Sequence, residues 1–587
     1  LHIGFVAGAA FFMLEPLVFY LLLRFRPDAA RAGQARRIAA SLCFLPLLFY
    51  LFLAAGQISA VRAAIIAGRE RHLPNALLAA AVAILLVHPG AVLDVSFQLS
   101  FTAVASILLA FHLLKSGQDD SVARLGDSGQ FRRLLLGVMR ENDGGPRPRA
   151  GALKQRGLQL LIGSAFVSLV VFIGTLPIIV CHFNRLSLAG LLLNPLMVPL
   201  ASLLIPFALF ALSLAMVFPL AGGLLAPPVA VLIEAFHRIP TLFAQIPFAS
   251  IPVPTPAALW VVLYYAALLA GAWSWLYRPS GKKGETPGWL PKPAWAGAFA
   301  LGLFFFLFVP RLPAFGNGPL HITVLDVGQG ESIYIEFPNR ETMLIDGGGF
   351  YKNLLDIGNI VLAPFLWDRG LTRLDYLSVT HSDNDHIRGL ESLLRLFPVG
   401  HFLDTFIGLP DRRIERLRRQ ARERSARLTP LTAGTPLDIG EVRLLPFYPS
   451  ETFIRQSPSL AESGRIGNDL SLVLRIDYKN FSMLLTGDIG AEAEAHLLRQ
   501  GAPLRANVLK GPHHGSRHSS HPAFIQAVAP QAVIFSSHDR SPWRHPHPEV
   551  IERYQQAGAE VWRTDQHGAV HIESGGHGFD IQGTVPH

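Results

Sequence analysis

Apolar stretches close to bilayer length recur through the first half of the chain, at about 1–23, 38–56, 73–89, 94–114, 158–180, 187–218, 219–245, 257–277 and 294–310. A helix rising about 1.5 Å per residue needs roughly 20 apolar residues to cross a hydrocarbon core. Some stretches are short and others long, so the pattern supports about eight to ten spans. A single water-soluble core cannot absorb that many apolar faces, which excludes one soluble globule. The basic connectors Arg24–Arg37 and Lys115–Arg156, the second with nine Lys and Arg against five acids, are expected on the cytoplasmic side. Parity between them needs a short extra crossing near 57–68, which contains Arg62. Beyond residue 180 only Arg278, Lys282 and Lys283 mark a side, so charge leaves the placement of the second half open.

That second half has another texture. Residues 1–310 hold 23 of the 51 Lys+Arg and 11 of the 42 Asp+Glu, a net +12, whereas the remainder is net −3 and carries 16 of the 22 histidines. We expect a polytopic helical membrane domain at 1–310 and an α/β domain at 315–587. The two cysteines, Cys43 and Cys181, lie in apolar stretches of the first half. A disulfide scaffold is thereby excluded, as is a thiolate metal site in the second half, where metal chemistry has to use imidazoles and carboxylates. No basic leader or cleavage site precedes the first apolar stretch, so no signal peptide is read. The chain opens on Leu1, and a missing initiator methionine is expected to mean that sequence upstream has been lost.

Arg62, Asp94, Gln98, Ser100, Asn184 and Asn194 interrupt the spans. Polar groups at membrane depth cost several kcal/mol unless they face the bundle interior or a wet cavity. Each alone reads as glue between helices. Pro195, Pro199 and Pro206 are expected to break the longest stretch into pieces, as in transporter helices that line a path. Anchoring needs only one span, so the set reads as a conduit with Arg62, Asp94, Gln98, Ser100 and Asn194 as lining candidates.

From His321 onward, short β-rich runs alternate with Gly and Asp turns. Strands are expected at His321–Val327, Ser332–Phe337, Thr342–Ile345, Tyr376–Val379, Ser471–Ile476, Phe481–Leu485, Asn507–Leu509 and Ala532–Ser536. Helices are expected at about 386–397, 411–427, 491–500, 522–528 and 548–557. Such a mixture suggests two packed sheets with helices outside. The chemistry gathers where strands end. His381, Asp383, Asp385 and His386 fall within six residues directly after one strand. Asp488 ends another strand, where it could bridge two ions, and His513 and His514 follow a third. Asp346 precedes two glycines that let backbone approach closely. Each run alone is an ordinary polar turn; in this order they point to a metal site.

The runs HSDNDH (381–386), LIDGG (344–348), LLTGD (484–488) and HHGS (513–516) resemble the metallo-β-lactamase superfamily, with its αββα sandwich fold. The run Leu325-Asp326-Val327-Gly328-Gln329-Gly330-Glu331-Ser332 is similar to the opening of that domain in the ComEC family of DNA-internalisation competence proteins. Ala60–Ala64, Phe97–Phe101 and Leu193-Asn194-Pro195 resemble that family's membrane domain, and His545–Glu549 with Arg563-Thr564-Asp565 its C-terminal end. The resemblance lacks the family's N-terminal stretch, a few spans and a small OB-like domain. It implies metal ligands at His381, Asp383, Asp385, His386, Asp488 and His513, with His513 a better match than His514 to the last histidine. The superfamily's middle histidine has no counterpart, Asn468-Asp469 being the nearest candidate. Asp383 stands where the superfamily usually has histidine. More carboxylate makes the site harder, so one or two ions of Mn²⁺, Mg²⁺ or Zn²⁺ are implied. Asp385 would orient the nucleophile, His514 or His545 would protonate the leaving oxygen or support a ligand, and Asp326, Gln329 and Asp346 would shape the loops.

Eight arginines and three acids occupy Asp411–Arg427. That helix either follows a phosphate backbone, through residues such as Arg412, Arg416 and Arg419, or is a solvated helix held by Glu415–Arg419 and Glu423–Arg427 pairs. The family resemblance implies uptake of DNA across the inner (cell) membrane during natural transformation. A single strand would pass through the bundle while the metal domain, placed outside the cytoplasm, hydrolyses the other. It also implies membrane lipid, an extracytoplasmic DNA receptor and a cytoplasmic ATPase or single-strand-binding protein as partners. The alternatives are a membrane-tethered metallohydrolase with a non-DNA substrate and a channel whose soluble domain is catalytically inert.

Overall fold

The computed structural model describes residues 73–116, 150–246, 248–276, 302–303, 317–349, 355–405, 411–450, 467–539, 541 and 543–585. The chain divides into two compact units, Leu1–Pro310 and Arg311–His587. In the first, the described helices are α1 (Leu73–Val87), α2 (Val95–Ser116), α3 (Ala150–Phe183), α4 (Ala189–Val217), α5 (Pro219–Ala244) and α6 (Ala258–Leu276). Four of them, α2 to α5, are long and apolar enough to cross a membrane. Only 6–33% of their apolar windows is buried within the protein, and Leu192, Phe210, Leu220 and Leu224 project outward. Surface of that kind is stable against lipid rather than water. The crossings expected at 1–23, 38–56 and 57–68, with Arg62, lie outside the described residues.

The prolines do not break the longest stretch: α4 runs continuously through Pro195, Pro199 and Pro206. Transmembrane helices tolerate prolines because neighbouring helices and local adjustments satisfy the released carbonyls. The polar positions have local duties. Asp94 Oδ1 accepts from the amides of Ser96 and Phe97 at 2.7 and 3.1 Å, capping α2. Gln98 lies 3.0 Å from His182 Nε2, tying α2 to α3. Ser100 is buried and Asn194 half-buried. Asn184, at φ +52°, turns the chain after α3 into β1 (Arg185–Ser187), which pairs antiparallel with β2 (Ser250–Pro252).

The second unit has two sheets. One runs, in spatial order, β17 (Asp580–Gly583), β16 (Val570–Ser574), β3 (Leu320–Val324), β4 (Ile333–Glu336), β5 (Thr342–Ile345), β6 (Leu374–Ser378), β7 (Val399–Asp404) and β8 (Arg427–Pro430). The other runs β15 (Glu560–Arg563), β14 (Ala532–Phe535), β13 (Val508–Lys510), β12 (Phe481–Leu485), β11 (Val473–Tyr478), β10 (Val442–Tyr448) and β9 (Leu437–Ile439). Strands β5 to β8 are parallel, as are β12 to β15. The period-two alternation of each strand sends one set of side chains between the sheets: Ile322, Ile333, Met343 and Ile345 meet Leu474, Met483, Leu485 and Ile534, all at most 1% exposed. The other set, such as Leu344, Leu377, Leu484 and Leu509, meets helices. These are α7 (Ala363–Asp368), α8 (Asn384–Leu396) and α9 (Arg412–Glu423), then α10 (Ala491–Arg499), α11 (Pro522–Val528) and α12 (Pro548–Gln556). The result is the expected αββα sandwich. Helix α9 ends sooner than expected, with Arg427 already on β8, and Glu415 pairs with Arg418 rather than Arg419.

Candidate metal centre

Ligands in sheets with parallel strands collect beyond the carboxyl ends of those strands. Four such ends meet here. Asp346 follows β5, Thr380–His386 follows β6, Asp488 follows β12, and His513 and His514 follow β13. Asp383 is the N-cap of α8, which places Asp385 in that helix's first turn. Gly330, at φ +120°, closes the loop between β3 and β4 against this turn: a Cβ there would overlap the Asp385 carbonyl oxygen. The Glu331 amide donates to the same carbonyl at 3.1 Å.

Asp385, His386, Asp488 and His514 each offer a ligand atom, and the four lie within 4.8 Å of one another. Asp488 Oδ2 is 3.3 Å from His386 Nε2 and 3.2 Å from His514 Nε2, while His514 Nε2 is 3.7 Å from Asp385 Oδ2. None of these contacts has hydrogen-bond geometry at the imidazoles: Nε2 of His381, His386 and His514, and Oδ1 of Asp488, are buried with no hydrogen-bond partner. Each such atom costs about 1–3 kcal/mol if left unsatisfied. Their convergence on one space therefore fits a cation. Two imidazoles with two carboxylates suit Zn²⁺ or Mn²⁺.

The opposite ring nitrogens are held. His386 Nδ1 is 2.7 Å from Asp346 Oδ2, and Asp346 also accepts from Thr380 N at 2.8 Å and Thr380 Oγ1 at 2.6 Å. His514 Nδ1 is 3.1 Å from Ser536 O. Fixing Nδ1 aims Nε2 into the shared space, the arrangement that orients metal-binding histidines. Asp346, His513 and His514 all adopt left-handed backbone, with φ of +59°, +46° and +54°. Such conformations cost about 1–3 kcal/mol each and concentrate at functional sites.

Charge is finely opposed here. Burial pushes the Asp488 carboxyl up, but His514 and His386 outweigh it and hold it well below the usual range. Burial pulls His386 down, yet Asp488 and Asp346 lift it well above the ordinary imidazole value. His381 is pressed to about 3 by burial and then by His386, and stays neutral. In the metal-free molecule a proton on His386 does part of a cation's work.

The competence-protein family model matches residues 1–278, and the metallo-β-lactamase superfamily model matches residues 325–538. The chain joins a competence-protein domain to a metallo-β-lactamase-superfamily domain. It is 26% identical to ComE operon protein 3 of Bacillus subtilis, over 97% of this chain and 67% of that protein. It is 27% identical to competence protein ComA of Neisseria gonorrhoeae, over 86% of this chain and 59% of that protein. This chain therefore spans about two thirds or less of those relatives' length. Among solved structures, the metallo-β-lactamase fold protein YhfI of Bacillus subtilis aligns at 11% identity and a TM-score of 0.29, covering 42% of this chain and 97% of that one.

Within the metallo-β-lactamase domain, His514 rather than His513 completes the group of four. His513 Nε2 lies 3.9 Å from Asp488 Oδ2 and 3.2 Å from the Asn468 amide nitrogen, on the rim of the site. Asp383 is half-buried beside His381, whose ring centroid is 4.0 Å from that of His386, and both stand outside the four. His545 is farther out, its ring 5.7 Å from that of His513. Burial, with His514 and His513 nearby, brings it to about 3. Gln329 is buried with Oε1 unpartnered, while Asp326 is exposed and accepts from Gly328 N at 3.1 Å. Arg412, Arg416 and Arg419 are exposed on α9. A cavity of about 310 Å³ on β3, β4, β16 and β17 shares no residue with the metal group.

Sequence reasoning missed one pair. Glu331 and Lys510 are both fully buried, with Nζ 2.7 Å from Oε2. The carboxylate oxygens lack hydrogen-bond geometry, so the contact is an ion pair. It joins the loop after β3 to the end of β13, one from each sheet. Glu331 stands inside the Leu325–Ser332 run and Lys510 three residues before His513, and the signal was a charge next to glycine in an otherwise apolar setting.

Proposed function

We propose that the chain acts in DNA uptake across the cell membrane during natural transformation. The competence domain conducts one strand, and the metallo-β-lactamase domain, outside the cytoplasm, hydrolyses phosphodiesters of the other. The observation that carries the hydrolytic part is the convergence of buried, unpartnered ligand atoms on one space. The match to competence proteins over residues 1–278 supports the transport part. A receptor outside and an ATPase or single-strand-binding protein inside would be the partners.

Asp385, His386, Asp488 and His514 would hold the ion, with His381 and Asp383 beside them. When bound, it supplies Lewis acidity toward phosphoryl oxygens and lowers the pKa of water. Asp346 and Thr380 keep His386 aimed. Asp385 is the most open of the four, its side chain 28% exposed. Its carboxylate oxygen not given to the ion can accept the attacking water's proton and return it to the leaving oxygen. His545, kept neutral, serves as a hydrogen-bonding partner for substrate rather than as a proton store. His514, placed among the ligands, is not available as the acid.

The full chain in nanodiscs should degrade end-labelled single-stranded DNA with added Mn²⁺, and Asp385→Ala should lower that rate at least 100-fold. In cells the same substitution should leave uptake of pre-made single strands intact. Intact DNA after prolonged incubation with Mn²⁺, Mg²⁺ and Zn²⁺ in turn would overturn the hydrolytic reading.

A further inference from the structure

Eight arginines between Asp411 and Arg427 reach the fold with different duties. Arg418 is turned inward and held by both oxygens of Asp404, at 2.7 and 2.8 Å. Arg413 Nη1 donates to Ser382 O at 2.9 Å, and Arg424 donates to Arg395 O at 2.9 Å. Asp411 caps the helix, accepting from the amides of Arg413 and Ile414. Arg412, Arg416 and Arg419 remain outward at i, i+4 and i+7, one face of α9.

The neutralising pairs expected for a merely solvated helix do not form. Glu415 is taken by Arg418, and Arg427 is on β8. Among the described residues no carboxylate pairs with Arg412 or Arg419. Arg416 has Glu391 at 3.3 Å, but both side chains are exposed, at 55% and 36%, and such pairs contribute little.

We propose that the Arg412–Arg416–Arg419 face is a track for the sugar-phosphate backbone of single-stranded nucleic acid leading to the metal group. This rests on the function proposed above for the reaction but not for the binding. Three observations carry it. The stripe spans about 10 Å of helix, enough for two or three phosphates at ~3.4 Å or more per nucleotide. Arg413 fastens the first turn of α9 to Ser382, in the loop that leads through Asp383 into Asp385 on α8, so the stripe begins beside the candidate ligands. The apolar side of the helix, Ile414, Leu417 and Ala421, is wholly buried in the core. A helix that adsorbs to lipid needs that side to insert, so what α9 offers outward is charge alone. No aromatic ring interleaves the arginines, which makes the track indifferent to base sequence and sensitive to salt.

The test uses the full chain in phosphatidylcholine nanodiscs, a fluorescein-labelled oligo-dT and EDTA to prevent cleavage. Each phosphate contact on a single strand contributes about 0.7 to the slope of log K against log salt. Replacing Arg412, Arg416 and Arg419 together by Ala should lower that slope by about 2, while replacing all three by Lys should keep it. An unchanged slope in the Ala variant overturns the track. Unchanged oligo-dT binding with lost binding to phosphatidylglycerol vesicles overturns it in favour of a lipid contact. Hydrolysis of bis-p-nitrophenyl phosphate by the unaltered chain with Mn²⁺ is followed in parallel. No turnover with the slope change present supports the track and removes only the proposed reaction. Turnover with no slope change removes only the track.

Discussion

Asp346 shows how one buried side chain can govern a site without entering it. Its carboxylate is saturated by Thr380 N, Thr380 Oγ1 and His386 Nδ1. In Asp346→Asn an amide NH₂ must replace one acceptor oxygen and face a donor, so His386 loses its orientation. Affinity for Zn²⁺ or Mn²⁺, measured by chelator competition, should fall about 10–100-fold, as for other groups that aim metal-binding histidines. Among adjacent histidines, His514→Ala should cost more affinity than His513→Ala, and the reverse ranking would reassign the last ligand. The acid at 346 was legible only in company: an acid before glycines is an ordinary turn, and the other three runs at strand ends gave it meaning. The choice between His513 and His514 was not. Both adopt left-handed backbone, and sequence order does not say which imidazole then turns inward.

Between elements, the buried Glu331–Lys510 pair ties the two sheets together just behind the ligand loops. Removing one partner of such a pair leaves an uncompensated buried charge, at a cost of about 3–5 kcal/mol, whereas replacing both by apolar residues is often neutral or stabilising. Lys510→Met should therefore lower the urea midpoint sharply, and adding Glu331→Leu should restore much of it. A loss under about 1 kcal/mol for Lys510→Met would show that water reaches the pair. Elements with strong local patterns, such as Thr342–Ile345 and Phe481–Leu485, were legible to the residue. Others were not, for physical reasons. Strand β8 lies at a sheet edge, half-exposed and ending in Pro430, and β10 carries a register shift between Pro446 and Tyr448. In β16, His571 and Glu573 face away from the core. Arginines continuing to Arg427 made α9 read as longer than it is, but Ser425 at φ +63° turns the chain into β8.

For the molecule as a whole, the candidate metal group would act as a staple: Asp385 and His386 follow a strand of one sheet, Asp488 and His514 strands of the other. A cation that binds only the folded state stabilises it by about 2.7 kcal/mol at a hundredfold excess over Kd. For a domain of this size that is a rise in Tm of roughly 5–10 °C. The pH dependence follows from His386, whose folded pKa is raised above its unfolded value by Asp488 and Asp346 against the pull of burial. A raised imidazole contributes stability that is full below the unfolded value of about 6.5 and is lost as pH rises through the folded pKa. Asp488, held low, contributes constantly across this range, since its unfolded value is near 3.9. With EDTA the His386 contribution should therefore be lost as pH rises from about 6 toward about 9, against the opposite slope near pH ~6–7 from His381, His513 and His545, which burial holds down; the difference in Tm between the unaltered chain and His386→Gln isolates it. With Mn²⁺ or Zn²⁺ bound, folded His386 carries no proton and that loss disappears. The ion competes with the His386 proton, so its affinity grows as that proton leaves. The gap between loaded and chelated samples should be smallest at the acid end and widen steadily toward the alkaline end. Differential scanning calorimetry across that series reads both slopes at once. A gap that stays constant with pH would mean that His386 is not among the ligands, and no gap at any pH would mean that these four side chains hold no ion.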